Sequence, residues 1–192
     1  SLPYELTKAQ KRTVNDVLND MKSEKPMNRL IQGDVGSGKT IIAAAALFNG
    51  VKNGYQGVMM APTEILAQQH YEFMKGVFNN FDINIGFISG SMPKKEKDKL
   101  KSEISSGEVD VIIGTHAIIQ DDVVFNNLGI VITDEQHRFG VRQRALLGSK
   151  GENVDVLVMT ATPIPRTMAL FIYGDLDISI IDELPPGRQK ID

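Results

Sequence analysis

The sequence predicts an α/β domain, doubly wound, with a mostly parallel sheet and helices on both faces. Three observations predict it. Short, almost continuous apolar runs alternate with segments of helical periodicity, the pattern of strands covered on both sides. The stretch Gly33-Asp34-Val35-Gly36-Ser37-Gly38-Lys39-Thr40 fits the spacing G-x-x-x-x-G-K-[ST] in full and follows the apolar pair Leu30-Ile31. Two later apolar runs end in polar clusters, Asp134-Glu135 and Thr160-Ala161-Thr162, and carboxyl ends of strands are where functional groups collect in such sheets.

Composition narrows the setting. With 192 residues, 42% of them hydrophobic, the chain suits one compact domain with a sizeable core. There is no cysteine, which excludes a disulfide framework and a Cys-based zinc site and makes a reducing cytoplasm the expected location. No apolar run approaches the roughly 20 residues of a membrane span, and Ser1-Leu2-Pro3-Tyr4 lacks the regions of a signal peptide, so no membrane partner is expected. A formal net charge of −3 lacks the global basic signature of many nucleic-acid binders, so any such contact must be local.

Taken in order, Thr7-Lys8-Ala9-Gln10 reads as a capping box opening a helix whose Val14, Val17, Leu18 and Met21 recur at helical spacing. Lys22 to Asn28, with Pro26 and several charges, is a loop. Arg29 to Gln32 is a short strand feeding the glycine-rich stretch. From Thr40 to Lys52 runs a helix with almost no polar face, hence a buried one, ended near Gly54. Gly57 to Ala61 is a strand stopped by Pro62, and Thr63 caps a helix from Glu64 toward Val77. Ile83 to Ile88 gives a third strand, then the turn Ser89-Gly90-Ser91 and a lysine-rich helix over Lys94 to Ile104. Interspersed acids and the Leu100/Ile104 spacing mark that helix as amphipathic with a solvated face, in preference to a DNA patch. Further strands are expected at Asp110 to Gly114, Gly129 to Thr133, Val154 to Met159 and Asp177 to Ile181.

The glycine-rich stretch is a phosphate cradle. Its glycines, Gly33, Gly36 and Gly38, let backbone N–H groups turn toward an anion along Asp34 to Ser37. Lys39 adds a mobile cation, and Thr40 offers a hydroxyl to Mg²⁺ at a helix start. A hydrolysing site also needs a metal carboxylate and a group to activate water. Asp134 suits the first role and Glu135 the second.

At Asp134-Glu135-Gln136-His137 the sequence resembles the DExH proteins of helicase superfamily two. Ala61-Pro62-Thr63-Glu64-Ile65-Leu66-Ala67 is similar to motif Ia, Gly114-Thr115-His116 to Ib, Thr160-Ala161-Thr162 to III, and Leu6-Thr7 with Gln10 to a Q motif. The cradle, Asp134 to Val141 and Met159-Thr160-Ala161-Thr162-Pro163-Ile164-Pro165-Arg166-Thr167 resemble the RecG-type ATP-dependent DNA helicases over nearly the whole chain. The transcription-repair coupling factors share several of these motifs.

That resemblance implies that residues 1–192 form the first of two RecA-like motor domains of an enzyme that uses ATP and Mg²⁺, translocates on duplex DNA and remodels forks and recombination intermediates. Residues 184–192 would begin the connection to a second motor domain, which carries an arginine finger; a wedge domain of the same polypeptide would split the fork, and the enzyme would act as a monomer. By the same resemblance Gln10 reads the adenine edge, its capping-box role notwithstanding. Pro62, Thr63, Gly114 and Thr115 grip DNA phosphates without formal charge, although Thr63 and Thr115 also suit local capping. Gln136 and His137 line the cleft toward the second motor. Thr160 and Thr162, on a strand between the cradle strand and the Asp134 strand, couple nucleotide state to DNA; Thr162 also suits a cap for a helix begun by Pro163. Alone, the chain should hydrolyse ATP slowly. Competing readings are a switch GTPase, which should carry an Asn-Lys-x-Asp guanine reader that the sequence lacks, a small-molecule kinase, and a nucleotide-binding module without hydrolysis, against which Glu135 beside Asp134 argues.

Overall fold

Runs such as Gly129 to Thr133 are apolar at successive positions because both sides of the sheet are covered. Alternate side chains of a strand face opposite ways, so Ile130 and Ile132 enter one core while Val131 enters the other. The same division separates Met59 from Val58 and Met60. The computed structural model describes residues 5–34, 38–120, 122–134, 153–161, 165, 167–168 and 177–181. In chain order their elements are α1 (Lys8–Lys22), β1 (Asn28–Gly33), α2 (Lys39–Lys52), β2 (Gln56–Met60), α3 (Glu64–Val77), β3 (Ile85–Ile88), α4 (Lys94–Ser106), β4 (Val111–Gly114), a 3₁₀ turn at His116–Ile119, β5 (Leu128–Asp134), β6 (Asp155–Thr160) and β7 (Asp177–Ile181).

The strands form one seven-stranded sheet in the order β3-β4-β2-β5-β6-β1-β7, and every pairing is parallel. Helices α1, α2 and α3 bury Val17, Ile42, Leu47 and Met74 on one face, with Phe78 just past the end of α3. On the other, α4 contributes Leu100 and Ile104. The expected α/β architecture is therefore present, and β6 does lie between β1 and β5. No helix among the described residues is long and apolar enough to cross a membrane.

Local chemistry explains the boundaries. The capping box closes α1: the Gln10 N–H donates to Thr7 Oγ1 at 3.1 Å, and the Thr7 N–H donates to Gln10 Oε1 at 2.9 Å. Thr63 Oγ1 accepts the Leu66 N–H at 3.2 Å and opens α3. Strand β3 begins two residues later than the apolar pattern suggests, because Asn84 is engaged with the neighbouring strand start. Its N–H donates to Asp110 Oδ2 at 2.9 Å while its carbonyl accepts from the N–H groups of Asp110 and Val111. In α4, Lys97 donates to the Gly90 carbonyl, Lys101 pairs with Asp122, and Lys99 lies 3.9 Å from Glu103, so these lysines are tied along a solvated face.

At the amino ends of the strands, buried polar side chains stitch loops together. Gln56, 4% exposed, donates its amide to the carbonyls of Ile104 (2.9 Å) and Val109 (2.8 Å). Its Oε1 accepts the N–H groups of Asn126 (2.8 Å) and Asn127 (3.0 Å). Arg29 joins α1 to β7 through Asp20 Oδ2 (2.6 Å) and Ser179 Oγ (2.8 Å).

Candidate functional site

At the opposite, carboxyl end of the sheet, register decides which side chains meet. Gln32 on β1 pairs with Thr160 on β6, and Met159 pairs with Asp134 on β5. With neighbouring parallel strands about 4.8 Å apart, Asp134 lies roughly 10 Å across the edge from the cradle strand, with Thr160 between. Gly33, Thr160 and Asp134 thus share one edge, three strands wide. Thr160 is itself buried, with 4% exposure.

Lys39 opens α2 beside this edge. Its ammonium donates to the carbonyls of Gly33 (2.6 Å) and Asp34 (3.0 Å). Burial pulls its pKa below the usual lysine value, and the carboxylates of Asp134 and Asp34 act in the opposite direction. The cation is therefore partly desolvated and electrostatically coupled to Asp134. Preceding it, Gly38 has φ of 85° and offers no side-chain cap to the start of α2, the kind of helix start that can receive an anion. Thr40, half-buried, follows in that same turn.

Gln10 reaches the same place. A Cβ built on Gly38 would lie 1.9 Å from Gln10 Nε2, so the amide packs directly against the cradle's last glycine. The capping box thus coexists with a position at the cradle: Oε1 serves the Thr7 N–H while Nε2 faces Gly38.

A residue the sequence reading passed over completes the edge. His70, 6% exposed, places Nε2 2.6 Å from Asp134 Oδ2. The signal was present in part, since His70 sits on the buried stripe Ala67, His70, Met74 of α3, and a buried imidazole requires a hydrogen-bond partner. The identity of that partner depends on strand order.

Further along the edge lie the residues expected to contact DNA. The Ala61 N–H donates to the Gly114 carbonyl at 2.9 Å, joining the ends of β2 and β4. A Cβ on Gly114 would fall 2.0 Å from the Ile88 carbonyl oxygen, so close approach of β3 requires glycine there. Pro62 is half-buried and Thr63 is exposed, whereas Thr115 is 6% exposed at the start of the 3₁₀ turn. Of the two hydroxyl residues, only Thr63 stands in solvent. Gly36, Ser37, Glu135, Gln136, His137, Thr162 and the segment 184–192 lie outside the described residues.

The chain matches known proteins along its whole span. A family model for DEAD/DEAH box helicases covers residues 7–171. The ATP-dependent DNA helicase RecG of Thermotoga maritima is 56% identical over 191 residues, 100% of this chain and 24% of that protein. RecG of Bacillus subtilis is 51% identical over 192 residues, 100% of this chain and 28% of its own length. The chain thus spans about a quarter of these relatives. A solved structure of RecG bound to a three-way DNA junction superposes with a TM-score of 0.84 at 52% identity, over 99% of this chain and 25% of that one. The DEAD-box helicase Mss116 bound to ssRNA and UDP-BeF gives a TM-score of 0.72 at 17% identity, covering 94% of this chain and 40% of its own, a likeness of fold. The chain belongs to the DEAD/DEAH box helicase family, and its full-span, high-identity likeness within that family is to the RecG helicases.

Proposed function

We propose that this chain is the ATP-binding motor domain of an ATP-dependent DNA helicase that remodels branched DNA, including stalled forks and recombination intermediates. The observation that carries the proposal is the meeting of Lys39, Gly38 and Asp134 at one sheet edge in a chain whose relatives share its full span. Residues 1–192 form one motor half, and the remainder of the polypeptide supplies a second motor domain from 184–192 onward and a wedge for the fork.

Lys39 exchanges the carbonyls of Gly33 and Asp34 for the β- and γ-phosphate oxygens, while the amides at the start of α2 take the remaining charge. Thr40 and Asp134 fit Mg²⁺, a hard cation that one carboxylate, a hydroxyl, water and substrate phosphates hold without an all-protein cage. When bound, the ion neutralises charge developing on the transferring phosphoryl group. Glu135, next in the chain after Asp134, takes the proton of the attacking water. Gln10 presents its amide to the adenine edge, and Thr160, Thr162, Gln136 and His137 transmit the nucleotide state toward DNA and the second motor. Pro62 and Thr63, with Gly114 and Thr115 beside them, form the surface for the DNA phosphates.

Steady-state ATP hydrolysis by the full-length protein, with and without a synthetic fork, tests this reading. Fork-stimulated turnover is expected, with Glu135→Gln keeping ATP binding and losing about 10² to 10⁴ in rate. The isolated chain should turn over slowly, since an arginine finger contributes about 10³ to 10⁵ in related phosphoryl transfer. Native turnover by Glu135→Gln would move water activation to another residue, and turnover indifferent to DNA would reject the helicase assignment.

A further inference from the structure

The hydrogen bond between His70 and Asp134 joins residues 64 positions apart and ties α3 to the carboxyl end of β5. An ionised carboxylate only accepts, so the ring nitrogen at 2.6 Å donates its N–H to Oδ2. The aspartate stands at the last position of β5, its backbone paired in register with Met159 of β6. Its carboxylate is 23% exposed, while the imidazole that holds it is 7% exposed and fixed on the inner stripe of a 14-residue helix. A partly exposed carboxylate is thus held by a buried donor.

We infer that His70 is a positioning residue: its Nε2–H fixes the rotamer of Asp134 so that the carboxylate faces Lys39 and the cradle, and thereby sets the affinity for Mg²⁺. The inference rests on the proposed metal role of Asp134 and adds what orients it. Partners of this kind typically tune metal affinity by about 10- to 100-fold. Because His70 follows Thr63 by two helical turns, roughly 10 Å along α3, the same bond ties the metal carboxylate to the helix whose first turn faces the proposed DNA surface.

The decisive comparison uses two amides that differ in reach. Glutamine places its NH₂ group near the position of the imidazole Nε2, whereas asparagine falls short of it. In the full-length protein, binding of a non-hydrolysable ATP analogue is measured by calorimetry across a series of Mg²⁺ concentrations, with circular dichroism as the check on folding. His70→Asn is expected to raise the half-saturating Mg²⁺ concentration by about 10- to 100-fold. His70→Gln should restore most of the native value. If the asparagine variant does not fold, His70→Phe takes its place in the comparison. A half-point unchanged in the short variant, or moved equally by glutamine, overturns the inference. Asp134→Asn separates the two levels: if it leaves the half-point unmoved, the metal role of Asp134 fails; if it shifts the half-point while His70→Asn does not, only the positioning role fails.

Discussion

Gln56 and Asp134 stand at opposite ends of neighbouring strands and use their polar atoms in opposite ways. At the amino end, both amide hydrogens of Gln56 and its carbonyl oxygen are engaged by four backbone groups drawn from three segments. Its capacity for hydrogen bonding is filled. At the carboxyl end, His70 takes one oxygen of Asp134, and Lys39 rests on two carbonyls that a phosphate can replace. Beside Asp134, the buried Thr133 Oγ1 has no hydrogen-bond partner among the described residues. The contrast teaches how to sort buried polar groups in this fold: those whose bonds are complete hold the chain together, and those with capacity remaining face the proposed nucleotide site.

Removing Gln56 should produce the largest effect and sharpen that division. Gln56→Leu takes a partner from two carbonyls and two N–H groups, of which the Ile104 carbonyl keeps the Gly107 N–H, at about 1–3 kcal/mol for each buried group left unsatisfied. A loss of about 3 kcal/mol or more is expected in urea unfolding, since some of these groups will recover water. Affinity of the folded protein for an ATP analogue should not change. A stable variant with weakened ATP binding would break the distinction between the ends.

Lys39→Ala should do the reverse. A hydrogen bond to a charged group contributes about 1.5–3 kcal/mol, so loss of the ammonium should weaken ATP·Mg²⁺ binding by roughly 10² while the thermal midpoint stays close to native. The pKa of Lys39 supplies a finer test. Burial lowers it in the free protein, and a bound polyphosphate favours the charged form and raises it. Binding therefore takes up a proton: affinity is full below the lowered free-state pKa and falls as pH rises through it toward the bound-state value. Lys39→Arg keeps its charge through that window and should flatten the profile. Calorimetry at a series of alkaline pH values distinguishes the outcomes, and an identical slope in the arginine variant would assign the titration to another group.

The two ends also differ in how legible they were. Cradle residues occupy adjacent positions, and the apolar runs that became β2, β5 and β6 are written continuously because each strand is covered on both faces. Asp134 could be placed because it closes such a run. His70 and Gln56 could not be assigned, although His70 stands in the middle of an expected helix and Gln56 just before an expected strand. The partner of His70 is fixed by how α3 packs against the sheet near the end of β5, and the bonds of Gln56 run to backbone about 50 and 70 residues away in sequence, in keeping with the general rule that most side-chain hydrogen bonds go to backbone. Periodicity reports which face of an element is buried; it carries no information about which distant group closes a polar bond there. The 3₁₀ turn at His116–Ile119 was missed for a related reason, since four residues are too few for a period to show.

The smallest expected effect concerns the outer part of the carboxyl edge, where two threonines with the same proposed role differ in exposure. Thr63 is exposed, with its hydroxyl accepting the Leu66 N–H, and that hydroxyl still has a proton to donate to a phosphate oxygen. Thr115 is almost wholly covered, with its backbone N–H directed at the Ile88 carbonyl at 3.4 Å. A hydrogen bond to a charged phosphate contributes about 1.5 kcal/mol at the weak end, so Thr63→Val should weaken fork binding by roughly tenfold, and loss of the cap adds about 1 kcal/mol of destabilisation. Thr63→Ser keeps both the cap and the donor and should bind as the native protein does. Thr115→Val should leave DNA affinity nearly unchanged, because its hydroxyl is covered in the free protein. Fluorescence anisotropy with a labelled fork and the full-length protein, at one fixed salt concentration, measures all three. Equal losses at Thr63 and Thr115 would mean that DNA binding uncovers the buried threonine, and exposure in the free protein would then be no guide to which hydroxyl meets DNA.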